Sequence, residues 1–158
     1  MLEHIPSENI SLLAHDITDC PIYLKKKVLK AIDMDDDDNT KTGGLAKKIT
    51  VKIGAKIMLR RNIDITLGLV NGTIATIVGV SRNTENNVET LTITLPNGKQ
   101  HNIERINVKF QVMDKAYVIR KQFPITLSYG ITIHKSQGLS LKLAIIDAGN
   151  SVFSCGQT

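Results

Sequence analysis

The chain has 158 residues, 42% of them hydrophobic, with no Trp and only six Phe or Tyr, so it has about the length of one domain and a mostly aliphatic core. No apolar run reaches the ~18 residues of a membrane span, Met1-Leu2-Glu3-His4 lacks the basic-then-apolar layout of a secretory leader, and Cys20 and Cys155 are too few and too scattered for a disulfide framework or a zinc site. The net charge of +5 is unevenly spread: residues 1–46 sum to −4 and residues 47–158 to +9, which points the second part toward a polyanion, nucleic acid first, with an ordinary basic surface as the alternative.

In chain order, the first third reads as irregular apart from a short amphipathic helix over 22–32. There Ile22, Val28, Leu29 and Ile32 fall near helical spacing, with Lys25, Lys26 and Lys27 on the outside. The run Asp33-Met34-Asp35-Asp36-Asp37-Asp38 and the Asn/Thr/Gly residues after it predict an open loop or linker over 33–46, because close like charges repel. An acidic metal site is the lesser alternative.

From Ile49 the period becomes two. Ile49, Val51, Ile53, Ala55, Ile57 and Leu59 share one face, as a half-buried strand or a strand pair bent at Gly54. Asn71-Gly72 marks a turn, and a strand follows over 74–80. Leu91, Ile93 and Leu95 alternate with threonines up to the hairpin signal Pro96-Asn97-Gly98, and Ile106, Val108, Phe110 and Val112 alternate again. Short strands at this spacing predict a small antiparallel barrel.

The last third changes character. Phe123–Tyr129 reads as a strand, Thr132–Gly138 as a capped turn of helix, and Leu143–Asp147 as a buried parallel strand, which together are an α/β signature. The fold expected is therefore α/β, a partial parallel sheet with a small antiparallel barrel inserted.

Chemistry concentrates in Thr132-Ile133-His134-Lys135-Ser136-Gln137-Gly138. Unpaired backbone N–H groups at a helix start, with Lys135 and the donors Thr132, His134 and Ser136 beside them, suit phosphate. An ordinary polar strand-to-helix connection is the plain alternative. Lys56, Arg60 and Arg61 form a basic cluster at a strand end and are candidate DNA contacts, or else a solvated face. Asn71-Gly72 and Asn97-Gly98 are turn formers, the remaining histidines are expected at the surface, and Cys155 reads as small packing.

Thr132–Gly138 resembles motif V of the second RecA-like domain of superfamily 1B helicases, the RecD and petite-integration-frequency (PIF) type. Ile145–Gly149 and Phe153–Thr158 are similar to the run into motif VI, and Gly54–Asp64 with Gly68–Thr73 resembles the start of that family's SH3-like accessory barrel. The resemblance implies a division into 1–48 (a poorly ordered or partial RecA-like segment with the acidic linker), 49–122 (the barrel) and 123–158 (part of the RecA-like sheet with motif V). It implies that Thr132, His134 and Lys135 face single-stranded DNA, joined by Ser136, and that Gln137 and Gly138 lie toward the nucleotide cleft. It further implies ATP-dependent 5′-to-3′ unwinding, roles in DNA repair, recombination or telomere maintenance, and a nuclear location, with the mitochondrion as alternative. ATP and Mg²⁺ would be held mainly by protein N-terminal to this chain.

The departures are equally specific. The nearest candidate for a phosphate loop, Gly43-Gly44-Leu45-Ala46-Lys47-Lys48, lacks the Gly-Lys-Ser/Thr ending. No acidic pair on an apolar strand offers to hold Mg²⁺, and the motif VI arginine would fall beyond Thr158. The chain reads as truncated at both ends and inactive as an ATPase by itself. The rival readings are a non-enzymatic nucleic-acid-binding module built on the barrel, and an inactive gene fragment with unpaired strand edges.

Overall fold

The computed structural model describes residues 5–34, 42 and 44–129. Ten strands and one α-helix follow in order: β1 (Ile10–Leu13), β2 (His15–Asp19), α1 (Lys25–Met34, after a single 3-10 turn at Ile22–Leu24), β3 (Lys48–Val51), β4 (Lys56–Leu59), β5 (Ile74–Arg82), β6 (Val88–Thr94), β7 (Gln100–Glu104), β8 (Ile106–Met113), β9 (Ala116–Gln122) and β10 (Ile125–Leu127).

They form a two-stranded sheet β1-β3, a five-stranded sheet β10-β4-β5-β6-β7 and a three-stranded sheet β2-β9-β8. Every pairing among these described strands is antiparallel.

The larger core is aliphatic, as the composition requires: Leu12, Val51, Ile57, Leu59, Ile77, Leu91, Ile93 and Ile103 close around Phe123. Alternation over the second half of β6, with Leu91 and Ile93 inward between less buried threonines, puts one face of the sheet on this core, and the β5–β6 register shift at Ser81/Arg82 turns Val88 inward and leaves Glu89 exposed. In β4 the residues Ile57, Met58 and Leu59 are all buried, because this strand lies between β10 and β5. A smaller core joins Val28 and Ile32 of α1 to Ala116 and Val118 of β9.

Several expectations hold in detail. Gly54, at φ +90°, separates β3 from β4, and the two strands part company there, one to β1 and the other to β5 and β10. Gly98, at φ +82°, closes the β6–β7 hairpin, its N–H donating to the Leu95 carbonyl at 2.9 Å. The helix overlaps the expected 22–32, with Val28 and Ile32 inward, but Ile22 is 91% exposed and Leu29 is exposed too, so both fall outside the buried stripe.

Other expectations need correction. The first third is not irregular: β1 pairs with β3, and β2 pairs with β9. The cause is long-range pairing, which a four-residue or five-residue strand needs and which a local pattern does not reveal. Of the strand expected at 123–129, Ile125–Leu127 forms β10, which lies antiparallel on β4 with Ile125 opposite Leu59 and stands at the edge of its sheet. Its partner in the α/β expectation, Leu143–Asp147, lies outside the described residues.

Candidate nucleic-acid interface

Strand β4 carries the basic cluster, and its geometry splits that cluster. Lys56 opens the strand, exposed, with its carbonyl accepting from the Ser128 N–H at 2.9 Å. Arg60 leaves the other end, its N–H donating to the Pro124 carbonyl at 2.8 Å. Four residues of extended chain set the two roughly 13 Å apart along the strand, so Lys56 does not join the arginines.

A shallow groove forms where the segment after β4 meets β8. Arg60, Arg61, Asn62 and Asn71 line one side, and Asn107 and Lys109 the other. Three cations and three amides converge there, and no described acidic residue is part of the lining. Asn62 is fixed in place: its side-chain carbonyl accepts the Asn71 N–H at 2.8 Å, leaving its amide nitrogen as the donating end.

Lys109 escaped the sequence reading. It holds an outward position of β8, between half-buried Val108 and Phe110, and only the packing of β8 beside the β4 exit makes it part of a basic surface. The available signal was the alternation of β8 itself, whose outward residues include Asn107 and Lys109. Its ammonium lies 2.6 Å from the Asp19 carboxylate and 4.8 Å from the Tyr117 ring centroid. Both partners of the ion pair are more than half exposed, so the pair is weak and a phosphate can compete for the lysine.

A second groove differs in charge. Glu85, Glu89 and Glu104 line it together with His15, Arg105 and Lys121, and the carboxylates disfavour a polyanion. Arg105 there stacks 4.6 Å above Phe123 and donates to the Val88 carbonyl, and burial pulls its pKa below the usual arginine value.

The segment 45–48 does not form a nucleotide cradle. Leu45, Ala46 and Lys47 turn their carbonyls to Arg120 and Gln122, and Lys48 already opens β3, so this segment presents acceptors rather than the N–H donors that phosphate needs. No group of three or more His, Cys, Asp or Glu among the described residues can hold a metal ion. No helix among them is long and apolar enough to cross a membrane. Thr132, His134, Lys135, Ser136, Gln137 and Gly138 lie outside the described residues.

Residues 41–80, which include Arg60, Arg61, Asn62 and Asn71, match the family model described as the DNA helicase Pif1 2B domain. Over 113 residues the chain is 33% identical to the ATP-dependent DNA helicase PIF1 of Mus musculus, covering 72% of this chain and 17% of that protein. The chain thus spans less than a fifth of the length of the mouse relative. Among solved structures it shares its fold with the Pif1 helicase from Candida albicans at 24% identity, with a TM-score of 0.60 over 89% of this chain and 33% of that one. A Bacteroides Pif1 bound to single-stranded DNA is 21% identical, with a TM-score of 0.58 over 85% of this chain and 28% of that one.

Proposed function

We infer the function from one premise: the chain belongs to the Pif1-type DNA helicases. We propose that it forms part of an ATP-dependent 5′-to-3′ DNA helicase that couples ATP hydrolysis to movement along single-stranded DNA. Its share of that work is to hold the strand, while ATP and Mg²⁺ are bound by parts of the enzyme outside the described residues. Alone, without a phosphate-loop sequence, this chain binds DNA and does not turn over ATP.

The observation that carries this reading is the groove of Arg60, Arg61 and Lys109, with no described acid in its lining, only the exposed Asp19 paired to Lys109 at its border, and with one side made by the segment that matches the 2B model. Such a surface suits a phosphate backbone, which contributes affinity without reading sequence. In this reading residues 49–122 are an SH3-like accessory barrel, with β1 and β2 of the first segment docked on it. Residues 123–158 lead into the second RecA-like domain, where Thr132, His134, Lys135 and Ser136 continue the DNA path and Gln137 and Gly138 approach the nucleotide. The work is nuclear, with the mitochondrion as alternative, and serves DNA repair, recombination or telomere maintenance.

Oligonucleotide affinity measured at several salt concentrations tests the proposal. Arg60→Ala and Lys109→Ala should each weaken binding and flatten the log–log salt slope by about 0.7, the release expected per phosphate of a single strand. Salt slopes unchanged in both variants would remove the groove from the DNA path.

A further inference from the structure

The segment that leaves the groove and returns to it is built in an unusual way. Residues 62–73 close on themselves through a dense set of hydrogen bonds. Ile63 N–H donates to the Leu69 carbonyl at 2.8 Å, and Leu69 N–H donates to the Asp64 carbonyl at 2.8 Å. The Thr73 hydroxyl donates to the Gly68 carbonyl at 2.9 Å, and Leu69 itself is buried. Asp64, the loop's only carboxylate, turns back on the loop at the surface: one of its oxygens accepts the Thr66 N–H at 2.8 Å, the Thr66 hydroxyl, and the Leu67 N–H at 3.2 Å.

A loop so tied usually hides its apolar side chains. This one presents them: Ile63 is 39% exposed, Ile65 74% and Leu67 48%. Three aliphatic residues on a rigid tip, each held away from the core by satisfied backbone, mark a contact surface rather than leftover chain. The tip emerges between Asn62 and Asn71, which with Arg60 and Arg61 line one side of the cationic groove. A ligand that fits both must carry a line of negative charge with flat apolar faces beside it, which describes a single nucleic-acid strand and not an apolar peptide.

We propose that Ile65 and Leu67, with Ile63 behind them, form an apolar prong that packs against the bases of a single strand whose phosphates lie in the Arg60/Arg61/Lys109 groove. This rests on the proposed function and adds a second kind of contact to it. The groove supplies charge, and the prong supplies contact with base faces, in the way aliphatic wedges part stacked bases. Because every base has such a face, the contact is indifferent to sequence. Preorganisation by Asp64 spares the loop an ordering cost on binding.

The full chain, an unlabelled oligonucleotide and a matching one carrying 2-aminopurine provide the test. Ile65→Ser with Leu67→Ser should weaken single-strand binding by ~10-fold while leaving the salt slope unchanged, because apolar contacts release no counterions. The rise in 2-aminopurine fluorescence on binding, which reports unstacking, should vanish in the same variant. Ile65→Tyr, an exposed change that keeps the loop's hydrogen bonds, should tighten binding several-fold by offering a stacking ring. Wild-type affinity in the serine variant, with Arg60→Ala still flattening the slope, overturns the prong and leaves the groove standing. Loss of self-association instead of DNA affinity overturns it too, by making the tip a contact between copies. Failure of the unaltered chain to bind any oligonucleotide overturns the proposed function first.

Discussion

Asp16 and Arg120 face each other across the β2–β9 register, and the guanidinium grips the carboxylate with two parallel bonds, Nε to Oδ1 at 2.8 Å and Nη2 to Oδ2 at 2.7 Å. The remaining nitrogen, Nη1, donates to the Leu45 carbonyl at 2.9 Å, so one arginine ties β2 and the segment before β3 to β9. Only 2% of the arginine side chain and 15% of the aspartate are exposed. Removing one partner leaves the other charged and dehydrated. Asp16→Ala should therefore cost about 3–5 kcal/mol of stability, read as a lower urea midpoint. Arg120→Lys should lose most of the same amount, since a point charge lacks the fork. A midpoint within error of the parent in Asp16→Ala would contradict the pairing.

Gln122 performs a similar task without charge. Its amide nitrogen donates to the Leu12 carbonyl at 3.0 Å and to the Ala46 carbonyl at 3.2 Å, and its oxygen accepts the Phe123 N–H at 2.9 Å. Gln122→Leu keeps the volume but strands a backbone donor and acceptors in the core. We expect a loss of about 1–3 kcal/mol and faster hydrogen exchange at the Phe123 amide. Exchange at parental rates would show that the amide has another partner.

Asp19 borders the basic groove through its ion pair with Lys109. Asp19→Asn releases the lysine and removes a repulsive charge from the proposed path of the strand. Single-strand affinity should rise about twofold to fivefold at low salt, the worth of one exposed pair, and the gain should fade as salt is raised. A decrease in affinity would place Asp19 outside the DNA path or in a supporting role.

The Asp64 carboxylate sits below its ordinary pKa, first because the Thr66 hydroxyl donates to it and then because the Leu67 N–H does. A depressed folded-state pKa means that the loop gains order above the unfolded-state value and loses it as pH falls through the folded one. Between pH 7 and pH 5 the loop should be unchanged. The Thr66 and Leu67 amide resonances should shift together at a midpoint below the ordinary aspartate value. A midpoint above it would mean that the carboxylate is not held by these donors.

What local pattern could show, it showed: β3 through β6, β8, the Gly54 bend, the Gly98 hairpin and α1 follow from alternation, glycine and helical spacing. Strand β9 hid because its buried face runs Ala116, Val118, Arg120, Gln122, ending in two residues that read as solvent-facing. Strand β2 hid for the converse reason, with Ile17 63% exposed and Asp16 turned inward. Each strand makes sense only through the other, since the burial of Arg120 is tolerable only once Asp16 lies opposite.

The site divides in the same way. The family, the charge bias of 47–158 and the arginines at 60 and 61 were legible in the order of residues alone, because composition and motif spacing are properties of the chain. Separating Lys56 from them, bringing Lys109 to them across two sheets, and lifting Ile65 and Leu67 out of the core were decisions of the tertiary structure. Distances between residues far apart in sequence are set by which strands pair, and pairing is won by the burial of faces that no single segment contains.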